Sequence, residues 1–146
     1  MLGLRKLTKD TSKIVEELHL NEDFSTFYNE NKEYIAEKPL SELLDELIKE
    51  KNLHKSEIIK NSGLSEVYSY QIFSGLRLPD RKKLLALAIG MGLNFDETQT
   101  LLKSAGYPPL YIKLPFDSVV IYGFFKNLSI PEINELLFNY GFKTLG

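Results

Sequence analysis

Apolar residues recur along this chain at helical spacing, and no run shows the strict alternation of a half-buried strand. The sharpest pattern starts at Ser41, an N-cap residue type, from which a helix through Lys51 places Leu43, Leu44, Leu47 and Ile48 on one face. A shorter helix follows over about 55–61, with Ile58 and Ile59 directed inward, and Gly63 then stands where a helix ends in a left-handed residue. Ser65 restarts a helix that runs to Phe73 before Gly75 closes it. Pro79 breaks the chain, and Asp80 caps a helix from Arg81 to about Gly90. Asn94 and Glu97 form an N-x-x-E cap for a further helix ending at Gly106. The pattern predicts an all-α fold.

The tail repeats at an offset of 35 positions: residues 84–110 slide onto 119–145. Leu93 falls on Leu128, Phe95 on Ile130, Leu102 on Leu137, Gly106 on Gly141 and Leu110 on Leu145, and the cap recurs as Ser129-x-x-Glu132 with Pro131 in the first turn. Two copies are fewer than the roughly three a solenoid needs, so they read as two stacked helical hairpins on a central unit, joined by the linker Tyr111–Pro115. The first 39 residues are helical but polar, with short apolar faces at Ile14, Val15 and Leu18 and at Phe24, Phe27 and Tyr28, before Pro39 interrupts. The expected organisation is an N-terminal extension over 1–39, a central domain over 40–110 and a C-terminal hairpin over 111–146.

Composition narrows the function classes. The chain has 146 residues, 43% hydrophobic and 26% charged, as an ordinary globular protein does. The absence of cysteine removes disulfides, thiol catalysis and thiolate metal sites. His19 and His54 are the only imidazoles and read as solvated. No stretch reaches the roughly 20 apolar residues of a bilayer span, and Met1–Lys6 lacks a secretory pattern. The expected compartment is the cytoplasm, without a membrane partner. No nucleophile–base set, phosphate-cradling loop or metal-ligand cluster stands out, and the paired acids Glu16-Glu17, Glu22-Asp23 and Asp45-Glu46 read as surface. The expectation is therefore a non-enzymatic protein without cofactor or metal.

Net charge is -2, whereas nucleic-acid binders usually read basic. The charge is uneven, however: residues 1–39 carry -2, residues 40–92 carry +1 and residues 93–146 carry -1, and Arg77, Arg81, Lys82 and Lys83 crowd into seven positions. Binding depends on the field where phosphates lie, not on the total.

Within the middle segment, Leu53–Pro79 resembles the helix-turn-helix of the Cro and phage-repressor family of transcriptional regulators, also called the xenobiotic-response-element family. The matching residues are Glu57-Ile58-Ile59 in the first helix, Ser62-Gly63-Leu64-Ser65 in the turn, Ile72 in the second helix, and Gly75-x-Arg77-x-Pro79 after it. The resemblance covers residues 40 to about 105 and implies a compact lambda-repressor-like bundle of bacterial type. It further implies a sequence-specific regulator that lays the helix Ser65–Phe73 in the major groove of double-stranded DNA, as a homodimer on an inverted repeat. Carried over residue by residue, it puts Ser65, Glu66, Val67, Tyr68, Tyr70 and Gln71 toward the DNA, with Lys55 and Ser56 at the start of the preceding helix. Arg77, Arg81 and Lys82 would meet phosphates. Gln71 would pair with adenine, Val67 with a thymine methyl and Glu66 with cytosine N4.

Two departures from the pattern stand out: Ile59 replaces a small alanine, and Ser69 replaces a branched apolar residue, as if bulk had changed sides of the helix crossing. Phe73 reads as core, while Tyr68 and Tyr70 read equally as core or phosphate contacts. The segment Val119–Phe125 is apolar almost all round its helix and reads as core or as an oligomer contact. The acidic balance, the scarcity of Arg and Lys on Ser65–Phe73 and the apolar tail support an alternative, a protein-interaction module on a helix-turn-helix scaffold that has lost DNA affinity.

Overall fold

The computed structural model describes residues 9–35 and 38–146, without the side chain of Glu33. The reading of Met1–Lys6 therefore lies outside the described residues. Among those residues the secondary structure is entirely helical: α1 (Thr11–Leu20), α2 (Phe24–Ile35), α3 (Leu40–Glu50), α4 (Lys55–Ser62), α5 (Glu66–Ser74), α6 (Arg81–Gly90), α7 (Phe95–Ser104), α8 (Pro115–Phe125) and α9 (Ile130–Asn139). No helix among them is long and apolar enough to cross a membrane.

The described residues fall into two compact units, the first ending at Lys38 and the second Pro39–Gly146. In the first, Asp10 caps α1 by accepting from the Ser12 amide at 3.1 Å. Asp23 accepts from the Thr26 hydroxyl at 2.8 Å at the start of α2. Lys9 reaches both Glu17 and the buried Asn31. The apolar face read from Ile14, Val15 and Leu18 is only partly covered: Ile14 is half-buried, Val15 and Leu18 are exposed, and no residue of α1 is fully buried.

The second unit holds α3 to α9 around one core, so the segments expected as 40–110 and 111–146 are packed together in it. Helix α3 buries Leu40, Leu43, Leu44, Leu47 and Ile48, the i, i+3, i+4, i+7, i+8 stripe of an amphipathic helix. Ser41 is not its cap. The cap is Pro39 and the helix starts at Leu40, two residues earlier than a Ser41 cap implies, because Leu40 belongs to the buried stripe. Helix α6 is the centre of the unit, with every residue from Leu84 to Ala88 fully buried. It crosses α4 at Gly90, where a Cβ would lie 2.6 Å from the Ile58 carbonyl oxygen and 2.8 Å from the Ser62 amide nitrogen. Only glycine permits that approach. Ile58 is buried as expected, whereas Ile59 is half-buried.

The 35-residue repeat is real in three dimensions. Helices α7 and α9 occupy equivalent spans, and both open on complete capping boxes, Asn94 with Glu97 and Ser129 with Glu132. In each copy an amide side chain then clamps the returning backbone: Gln99 Oε1 accepts from Leu110 N–H at 2.7 Å, and Asn134 Oδ1 from Leu145 N–H at 2.8 Å. The turn inside each hairpin also recurs. Gly92 and Asn127 have positive φ, and the next residue's N–H returns to Ala88 and Gly123 respectively. The α3–α4 connection has the same form, with Asn52 at φ 53 and Leu53 N–H bonded to Ile48. Three interhelical connections thus share one turn, and α5 is inserted between the first and the second.

Candidate functional site

Helix α5 is set by its two ends. Gly63 ends α4 with φ 74, and the Ser62 hydroxyl accepts from Leu64 N–H while donating to the Ile59 carbonyl. Ser65 caps α5 by accepting from Tyr68 N–H at 3.2 Å. The buried Ser69 hydroxyl donates to the Ser65 carbonyl at 2.8 Å, so its burial leaves no unpaired polar atom. Ser69, Ile72 and Phe73 face the core. The opposite stripe, Glu66, Val67, Tyr70, Gln71 and Ser74, lines an open face, and Val67 there is 71% exposed.

Charged groups flank that stripe. Lys55, at the first position of α4, lays its ammonium 5.5 Å from the centre of the Phe73 ring, and Ser56 is exposed beside it. At the far end, Tyr68 carries two cations on its ring, the Arg77 guanidinium at 5.4 Å and the Lys83 ammonium at 5.6 Å. Arg77 Nε also donates to Gln71 Oε1 at 2.9 Å. Tyr70 packs edge-on against Phe73 at 6.2 Å and keeps one side in solvent. Nine of the eleven sequence-expected residues therefore lie on α5 or at its two flanks: Lys55, Ser56, Ser65, Glu66, Val67, Tyr68, Tyr70, Gln71 and Arg77.

Arg81 and Lys82 are not brought to the α5 face. Arg81 forms a two-pronged bond with Asp117, whose carboxylate is 1% exposed, at 3.0 and 2.9 Å, and also donates to the carbonyls of Pro108 and Pro109. Its guanidinium ties the start of α6 to the first turn of α8 and to the loop before it, so it acts as a structural clamp. Lys82 turns the same way and sits 5.4 Å from the centre of the Phe116 ring. Lys83 is the residue of that run that reaches the α5 side, where Asp80 lies 3.7 Å from it. Sequence reasoning named the basic cluster but missed Lys83. Three consecutive helical residues point about 100° apart, and composition cannot tell which one faces α5.

The loop between α5 and α6 is held from behind by Tyr107, whose hydroxyl donates to the Pro79 carbonyl at 2.5 Å. Burial, with the Asp80 carboxylate and Tyr68 nearby, pushes that phenol's pKa up, so it remains a donor. Among the described residues no cluster of three His, Cys, Asp or Glu side chains is arranged to hold a metal ion. Helix α8 resolves into two faces: Val120, Ile121 and Gly123 are buried, while Tyr122 and Phe125 are exposed. Neither family models, nor curated proteins, nor solved structures provide a match to this chain.

Proposed function

We propose that the protein is a sequence-specific double-stranded DNA-binding transcriptional regulator of the helix-turn-helix, lambda-repressor-like class, acting as a homodimer. The observation that carries this reading is the uncovered stripe of α5, Glu66, Val67, Tyr70, Gln71 and Ser74, flanked by Lys55 on one side and by Tyr68, Arg77 and Lys83 on the other. An α-helix with its side chains is about 10–12 Å across, which a major groove about 12 Å wide admits. Gln71 offers both a donor and an acceptor, Glu66 an acceptor and Val67 a methyl surface, which is the variety base edges demand. The local cations supply phosphate attraction that the overall charge of -2 conceals.

The test is a mobility shift against a randomised duplex library at low salt, with the affinity followed as salt rises. The expected result is selection of an inverted repeat with half-sites about one helical turn apart, and a linear fall of log K with log salt. Absence of salt-dependent binding would refute the reading. One observation favours the alternative of a protein-interaction module: Tyr122, Phe125, Phe138 and Tyr140 all stand exposed on the tail hairpin. Purification with a stoichiometric protein partner and no duplex binding would select that alternative.

A further inference from the structure

Gln71 is held by Arg77 twice. The backbone carbonyl of Gln71 accepts from the Arg77 amide at 3.1 Å, and from the Leu76 amide at 2.9 Å, as α5 closes. The Arg77 side chain then folds back, and its Nε donates to the side-chain oxygen of the same glutamine at 2.9 Å. The guanidinium is braced on its other side by the Tyr68 ring. Among the described residues the two Nη groups of Arg77 carry no hydrogen bond. The two residues therefore close a ring through backbone and side chain, in which the glutamine oxygen is directed at Arg77 and its NH2 group away from it.

A free glutamine amide turns either end toward a base with little preference, because its two ends differ only in donor and acceptor. Turning the Gln71 amide over would set its NH2 against the Nε–H of Arg77, donor against donor. We infer that Arg77 is a positioning residue for sequence reading: it fixes the sense of the Gln71 amide, so that Gln71 distinguishes an A·T pair from the reversed T·A pair. Adenine takes a donor and an acceptor in a set order, N6–H to the oxygen and N7 to the NH2 group. Pinning the oxygen on the Arg77 side fixes which strand carries that adenine. Lys83, on the same tyrosine ring but without a bond to Gln71, contributes charge and no sequence preference. This inference rests on the DNA-binding reading above.

The experiment measures base preference by library selection, and salt dependence by titration, for the full chain and three variants. Gln71→Ala identifies the base pair that Gln71 reads, as the position where preference disappears. Arg77→Lys keeps the charge and removes the directional Nε–H. It should lose about tenfold of the A·T over T·A preference at that same pair, with the salt slope unchanged. Lys83→Gln should keep the preference and lower the slope by about 0.9. Arg77 is exposed in the loop after α5 and Lys83 is half-buried on α6, and thermal unfolding checks that each variant is folded. Full preference in Arg77→Lys overturns the inference while DNA binding stands, and so does loss at a different base pair, which would mean direct reading by Arg77. Failure of the unsubstituted chain to bind any duplex overturns both.

Discussion

Replacing Asp117 with alanine removes the anchor of the clamp between α6 and the start of α8. The carboxylate accepts from Arg81 at 3.0 and 2.9 Å and from the Tyr111 amide at 2.9 Å, and it is 1% exposed. Breaking a buried ion pair from one side costs about 3–5 kcal/mol, because the remaining charge loses both its partner and its water. Two facts lower that figure here. The Arg81 side chain is 22% exposed, and it retains the carbonyls of Pro108 and Pro109. The bare Tyr111 N–H adds about 1 kcal/mol in the other direction. The expected loss is about 3 kcal/mol, read as a shift of the urea midpoint at constant m-value. Arg81→Met should cost a similar amount, and the double variant far less than the two together, since removing both partners strands no charge. A loss below about 1 kcal/mol for Asp117→Ala, or strict additivity of the two singles, would refute the clamp.

The remaining expectations follow from other contacts. Gly90→Ala should destabilise by about 1–3 kcal/mol in denaturant titration, because the clash is with backbone atoms of α4 and outweighs the better helix propensity of alanine; a more stable variant would contradict the close crossing. Gln99→Ala removes both an acceptor for the Leu110 amide and a donor to the Leu110 carbonyl and should cost about 2 kcal/mol, whereas Asn134→Ala removes one bond and should cost about 1; the reverse order in urea unfolding would count against the clamps. Burial opposes ionisation of Glu97, but the Lys51 ammonium at 2.8 Å and the Asn94 amide at 2.9 Å hold its carboxyl below the usual value of 4.5. A depressed folded pKa contributes stability that is present above the unfolded value and lost as pH falls through the folded one. Unfolding free energy should therefore drop as pH falls below about 4.5, and Glu97→Gln should flatten that slope; an unchanged slope in Glu97→Gln would show that other carboxylates dominate.

How much of this was readable beforehand depends on the reach of each interaction along the chain. The caps at Ser65, Asp80, Asn94 and Ser129 were readable because donor and acceptor lie within three residues of each other. The repeat was readable because it preserves spacing. Ser41 misled because a good cap residue was outcompeted by burial of Leu40 just before it. The Arg81 contact was not readable because its partner lies 36 positions away, in a stretch whose composition announced only apolar burial. Gln99 and Asn134 sit at equivalent repeat positions, but hydrophobic pattern says nothing about which polar residue returns to clamp backbone. In the site, the outward stripe of α5 followed from helical period, while the convergence of Arg77 and Lys83 on Tyr68 depended on how α6 is rotated against α5.

The turn shared by the three connections bears on how quickly the chain finds its structure. The α6–α7 and α8–α9 hairpins bring together helices separated by only a few residues, so their first contacts close short loops at small entropic cost. Chains assembled from such neighbourly contacts reach the native state in microseconds to milliseconds. The pairing of α4 with α6 across the inserted α5 is a longer closure, and those of α3 with α7 and of α6 with α9 are longer still, so their loop entropy falls due after the local turns have formed.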